Sequence, residues 1–313
     1  LTVNAVRITL GSMETATATK AAKLVAASER MTLDPFVDVD WSVEVNVDDV
    51  LHLPVSKLPL YGTAVWDRMT ETERNAYSRH ECAALCAAGI WFENLLMQAI
   101  LRHLTELPVT DPAHRYLLVE VADECRHSTM FGEYIRRAGT PAYAPSNDGD
   151  LIGAAETLPG GRAMAYLLVL AVEEMLDVAN RATMKDESVH SVSRQMAKLH
   201  VLEEARHVSF AKTYLTEVWP QIPVEERNEA AAFAPAAVAF VSSLIVNDEV
   251  YATLGIEGGG DVARANPLHQ QRVIADLGKL TAFLTELGVI DDTTRPLWQE
   301  AGLMAFEAQS VAA

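Results

Sequence analysis

Two five-residue stretches decide how this chain is read: Asp123-Glu124-Cys125-Arg126-His127 and Glu203-Glu204-Ala205-Arg206-His207. Both have the form acid-Glu-x-Arg-His. On a helix, positions i and i+3 share a face, so Glu124 with His127, and Glu204 with His207, reach the same centre. One Glu-x-x-His is weak evidence in a helical chain rich in Glu. Two copies say more, because a dinuclear carboxylate bundle needs that pair on two helices and one further Glu from each partner helix. Glu93 stands 31 residues before Glu124, and Glu173 stands 31 before Glu204. Equal intervals are what a duplicated helix hairpin produces. They favour Glu173 over its neighbour Glu174, with a one-residue shift left open.

Glu93 lies within Trp91-Phe92-Glu93-Asn94-Leu95-Leu96. A carboxylate left unpaired in such apolar surroundings is costly, and a metal removes that cost. His200 precedes Glu204 by four residues and His207 by seven, which keeps all three on one helical face. The expected ligand set is therefore Glu93, Glu124, His127, Glu173, His200, Glu204 and His207. Bridging carboxylates with terminal imidazoles suit iron or manganese. Asp123 and Glu203 each precede a ligand Glu and are candidates to accept the free N–H of a ligand imidazole; the alternative is plain surface acids. Arg126 and Arg206 are read as salt-bridge partners. Glu81 and Glu174 are weaker substitutes for the assigned carboxylates. His80, His103, His114, His190 and His269 lack partner spacing and are read as surface or structural. Tyr134, seven residues after His127, is read as a core or interface residue rather than a redox group.

Around these motifs the chain reads as helix. Thr70 and Glu73 form a capping box that opens a helix over 71–106. Pro108 and Pro112 break it, and a second helix runs over 113–138 to Gly139 and Pro141. A loop with Pro145, Asn147, Asp148, Gly149 and Asp150 follows. Helices over 162–184 and 188–218 complete a second hairpin, closed by Pro220. The pattern is a four-helix bundle over about 70–220 within a single domain, 1–313. Further helices are expected over 224–255, 266–287 and 292–308, with Gly258 to Gly260 as a loop. Residues 1–35 read as a leader with a short helical piece, and 35–59 as an extended arm wrapping the body.

Composition sets bounds. The 313 residues hold 25 basic and 43 acidic side chains, a formal charge of −18. That argues against a nucleic-acid surface and against docking on anionic lipid. Three Cys exclude a disulfide-stapled scaffold, and Cys82 and Cys86 are read as small core residues. No stretch reads as the roughly 18–20 apolar residues of a membrane span, and the start carries no recognisable secretory signal. A cytoplasmic protein is the expectation.

With these residues in hand, the sequence resembles the ferritin-like di-iron oxygenases, most closely the p-aminobenzoate N-oxygenase (arylamine N-oxygenase) family. The resemblance rests on the two Glu-x-x-His motifs, on Glu173, and on the extra His200 in His200-Val201-Leu202-Glu203-Glu204-Ala205-Arg206-His207. It implies two Fe ions, with Mn conceivable at one position, and O2 as co-substrate. An oxygen atom would pass to an amine nitrogen, with an electron donor and a homodimeric assembly. Around Glu93 the chain has Leu85, Ala88 and Gly89, with no polar set suited to an aminobenzoate. The helix faces around Trp91, Phe92, Leu96, Val169, Leu170 and Phe210 would form an apolar wall. The other uses weighed for such a site are C–H hydroxylation or desaturation, radical storage as in a ribonucleotide reductase small subunit, and non-catalytic iron storage.

Overall fold

The computed structural model describes residues 15–143 and 157–306. Among them there is no strand, only one isolated bridge between Leu51 and Val189. Two long antiparallel hairpins make the body: α4 (Glu71–Leu104) with α5 (Pro112–Ala138), and α6 (Gly161–Thr183) with α7 (Ser191–Val218). The capping box is present, Thr70 accepting from Glu73 N and the Glu73 carboxylate accepting from Thr70 N. Asp111 caps α5, Pro112 sits at its first turn, and Gly139 ends it at φ +66°, a backbone state that glycine adopts without a Cβ penalty. His190, rather than Ser188, begins α7: its Nδ1 accepts from Val192 N. Among the described residues the result is an all-α four-helix bundle with additional helices.

The ends of the chain depart from the sequence reading in detail. The supposed leader contains α1 (Ala16–Arg30), a four-turn helix packed on α5 and α7 and tied by Thr17 to Glu217 at 2.7 Å. The arm begins with the short helix α2 (Pro35–Asp38) and continues as a largely irregular run, after which comes the short helix α3 (Ala64–Arg68). That run is pinned to the body by Arg79 on Asp48 and by His190 N on the Leu51 carbonyl. The loop expected over 145–150 lies outside the described residues.

After the bundle, six helices among the described residues take the place of the three or four expected: α8 (Val224–Ser243), α9 (Asp248–Thr253), α10 (Gly259–Ala265), α11 (Pro267–Asp276), α12 (Gly278–Leu287) and α13 (Arg295–Glu300). Asn247 starts a new helix by accepting from Glu249 N, and Gly258, at φ +65°, precedes α10 without a side-chain cap. Gly259 and Gly260 thus belong to a helix. A Cβ on Gly260 would overlap Asp248 Oδ1.

The apolar residues divide into two cores. One holds Leu96, Ile100, Tyr116, Leu170 and Phe210 with α1, α8, α12 and α13; the other holds the arm, Ala87, Met130 and Leu199 with α9 and α10. Two stretches, Glu71–Leu104 and Val224–Thr253, are long and apolar enough to cross a membrane by length and composition, unlike the sequence expectation. The first is α4, whose apolar residues serve both cores; the second is broken after Ser243.

Candidate metal centre

Between the two cores lies a buried polar layer. Glu93 comes from α4, Glu124 and His127 from α5, Glu173 from α6, and His200, Glu204 and His207 from α7. All seven are at most 4 % exposed. Donor atoms of Glu93, His127, His200 and Glu204 lie within 4.8 Å of one another, as do those of Glu120, Glu124 and His207. The groups adjoin, since His207 Nδ1 is 2.9 Å from both Glu124 Oε1 and Glu204 Oε2. His127 Nδ1 likewise faces Glu124 at 2.8 Å and Glu204 at 3.1 Å.

The outer nitrogens of these two imidazoles cross the bundle. His127 Nε2 meets Glu203 Oε2 at 2.9 Å, and His207 Nε2 meets Asp123 Oδ2 at 3.2 Å. Each motif thus supplies the carboxylate that orients the other motif's imidazole. Arg206 bonds Asp123 at 3.0 Å and lies 3.4 Å from Glu203; Arg126 pairs with Asp123 and lies 3.6 Å from Glu203 Oε1. Two guanidinium groups and two carboxylates balance one another around the inner cluster.

Glu173 and its neighbour point different ways. Glu174 pairs with Lys212 at 2.5 Å. Glu173 instead lies near Glu204, Glu93 and Glu124; burial first, then their charges, pushes its carboxyl well above the usual range. Burial and the charges of Glu124 and Glu204 do the same to Glu93. Burial also acts on Glu204, but His207, His200 and a hydrogen bond from His127 outweigh it and hold that carboxyl well below its usual range. Four carboxylates packed this closely need cations to remain ionised together.

The remaining sequence candidates lie elsewhere. Glu81 is buried beside Tyr77 and Tyr251. His80 bonds Tyr143, His103 bonds Tyr166, and His269 pairs with Arg272. His114 is half-buried at the start of α5. Tyr134 is fully buried and donates to His52 Nδ1 at 2.8 Å. Leu170 and Phe210 belong to the core and do not line the cavity described below.

Two polar residues beside the cluster, half-buried Asn180 and buried Glu120, are absent from the sequence reading. The Asn180 amide lies 3.0 Å from His200 Nδ1, while His200 Nε2 faces Glu93 and Glu204 at 3.6 Å. Asn180 follows Glu173 by seven residues, a same-face interval that could have flagged it. Glu120 is the other, four residues before Glu124 and 2 % exposed.

The donor set fits a pair of metal ions. Glu93 Oε2, Glu120 Oε2, Glu173 Oε2 and His200 Nε2 are buried and make no hydrogen bond. Unsatisfied buried oxygens and a free imidazole nitrogen in and beside these two adjoining groups are the donors that a carboxylate-bridged pair requires. Beside them an apolar cavity of about 570 Å³ opens between α4, α6 and α8. Trp91, Phe92, Leu96, Val169, Phe233 and Phe240 line it. It reaches from buried Glu173 to exposed Glu106 and that residue's ion-pair partner Arg162.

The sequence profile of the p-aminobenzoate N-oxygenase AurF family matches residues 14–288. The chain belongs to the AurF family. Membership places it among the di-iron oxygenases and oxidases. Among curated proteins it is similar to uncharacterized proteins of Mycobacterium tuberculosis and Mycobacterium bovis. Each is 29 % identical over 238 residues, 72 % of this chain and 68 % of theirs. Among solved structures, a mutant R2-like ligand-binding oxidase with an aerobically reconstituted Mn/Fe cofactor aligns with a TM-score of 0.48 and 14 % identity. The alignment covers 84 % of this chain and 93 % of that one.

Proposed function

We propose that this AurF-family protein is a non-haem di-iron monooxygenase that oxygenates a small organic substrate at an amine nitrogen. Two Fe ions held by Glu93, Glu124, His127, Glu173, His200, Glu204 and His207 would supply O2 activation when bound. One oxygen atom goes to the nitrogen and the other to water, with two electrons from an external donor and two protons. The observation that carries this reading is the apolar cavity that ends on Glu173, itself one of the proposed ligands. A substrate seated there would present its reacting atom to the metal pair.

The chain's own residues prepare that encounter. Trp91 and Phe92, edge to face at 4.8 Å, form a wall suited to a flat apolar body. Together with Leu96, Val169 and Phe240 they keep water from the reacting atom. Asp123 and Glu203 hold two imidazoles in one tautomer. The enzyme would work in the cytoplasm as a homodimer, drawing electrons from a separate donor. The apolar lining also supports a second reading, hydroxylation of a C–H bond.

The test is anaerobic Fe(II) loading, exposure to O2 with absorption spectroscopy, and product analysis on a panel of arylamines and matched hydrocarbons. Hydroxylamine, nitroso or nitro products support N-oxygenation. Alcohol products favour the second reading. A fully loaded protein that consumes no O2 and alters no substrate defeats both.

A further inference from the structure

The two halves of the site differ in one position. On α7, His200 stands four residues before Glu204; on α5, Glu120 stands four residues before Glu124. These are corresponding places in the duplicated hairpins, one turn ahead of each Glu-x-x-His. His200 has a role in the dinuclear reading and Glu120 has none. Yet Glu120 is 2 % exposed, its Oε2 makes no hydrogen bond, and it has a donor atom within 4.8 Å of those of Glu124 and His207. Tyr116 and His207 lie beside it. A carboxylate this deeply buried, with one oxygen making no hydrogen bond and a donor atom this close to those of two proposed ligands, has the placement of a metal donor.

We propose that Glu120 is an additional metal-ligating carboxylate, completing one half of the site as His200 completes the other. The inference rests on the dinuclear reading above. It adds a carboxylate to the half that lacks a second imidazole, and so widens the inequality that His200 already sets between the two positions. The group of Glu93, His127, His200 and Glu204 offers two imidazoles, whereas the group of Glu120, Glu124 and His207 offers one. The second is the harder, more oxygen-rich set. Two ions bound to this chain would therefore differ in affinity and in electronic environment.

The experiment is an anaerobic Fe(II) titration of the full chain, with Mössbauer spectra of the isotope-enriched ferrous protein. Glu120→Gln, Glu120→Ala and His200→Ala are compared with the unaltered protein. We expect two ferrous ions with distinct spectra in the unaltered chain. Either Glu120 variant weakens one ion by about 10–100-fold and alters one spectral component. His200→Ala moves the other component. Without metal, Glu120→Gln, a near-isosteric change, melts no lower than the unaltered chain, so its weaker binding is not misfolding.

Glu120→Gln holding both ions as tightly as the unaltered chain, with both components unchanged, overturns this inference alone. So does loss of both ions together with a lower metal-free melting temperature, which would mark Glu120 as a fold-holding residue. An unaltered chain that binds no iron overturns the dinuclear reading along with it.

Discussion

His127 and Glu203 belong to different helix hairpins, and Nε2 of the one lies 2.9 Å from Oε2 of the other. The reciprocal pair, His207 with Asp123, crosses in the opposite sense. These bonds join the two hairpins through the same imidazoles that face the inner carboxylates. Orientation of the proposed ligands is therefore built into the packing of the bundle.

Removing Glu203 tests that relationship. Glu203→Ala leaves His127 Nε2 without its acceptor and takes a carboxylate from Arg126 and Arg206. Metal affinity should fall by about 10–100-fold. Metal-free stability should fall by about 1–3 kcal/mol, the cost of leaving buried donors unsatisfied. Chelator competition and urea unfolding measure the two effects separately.

Asn180 should matter through His200 alone. The Asn180 amide nitrogen lies 3.0 Å from His200 Nδ1 and steadies that ring on the side away from Glu93 and Glu204. Asn180→Leu removes that contact and should lower metal affinity by roughly 10-fold, whereas Asn180→Asp keeps a polar partner at Nδ1 and should lower it less. The paired comparison, read by metal competition, distinguishes positioning from bulk.

Gly89 allows α4 to approach α5 closely. A Cβ there would sit 2.9 Å from Phe131 Cε2, and the Phe131 ring centre lies 5.4 Å from that of His200. Gly89→Ala should destabilise by about 1–3 kcal/mol, against its gain in helix propensity. The displaced ring should also disturb the ligand imidazole, visible as an altered spectrum of the metal-loaded protein.

Filling the cavity should separate substrate binding from metal binding. Val169 lines it without belonging to the ligand set. Val169→Trp should lower kcat/KM by about 10-fold or more, by the reasoning that one misplaced contact costs orders of magnitude in rate. Metal content should stay the same. A loss of bound metal in this variant would contradict the assignment of the cavity to substrate.

Glu81 gives a pH signature outside the metal cluster. Burial pushes its carboxyl up to about 7, partly offset by hydrogen bonds from Tyr77 and Tyr251 and by the charge of Arg272. The folded value lies above the usual 4.5. Its contribution to stability is thus full below about 4.5 and is lost as pH rises through 7. Glu81→Gln should therefore gain stability relative to the unaltered protein on going from about pH 5 to about pH 8.5. The gain should be on the order of 3 kcal/mol, at about 1.4 kcal/mol per pKa unit. Urea unfolding of the metal-free chain at the two pH values checks this.

Much of the architecture was legible because helix signals are local. Thr70 with Glu73, Pro112 and Gly139 mark helix ends through bonds and dihedrals spanning a few residues. The C-terminal region read worse for the same reason. Asn247, Gly258 and Gly278 interrupt apolar runs that look continuous, and no periodicity distinguishes an interrupted helix from a long one. The helix over 16–30 was underestimated because its stability comes from packing on α5 and α7, which lie far away in sequence.

The sequence by itself determined the family of the fold and the proposed ligand set. Helical spacing and the repeated 31-residue interval depend only on rise and period, and these bring Glu93, Glu124, Glu173 and Glu204 to one level of the bundle. Only the tertiary structure decided what stands across from what. The pairing of His127 with Glu203, the turn of Glu174 towards Lys212, the free oxygen of Glu120 and the apolar cavity beside Glu173 are relations between helices. They follow from how the hairpins rotate against one another, and that rotation is set by the packing of both cores together.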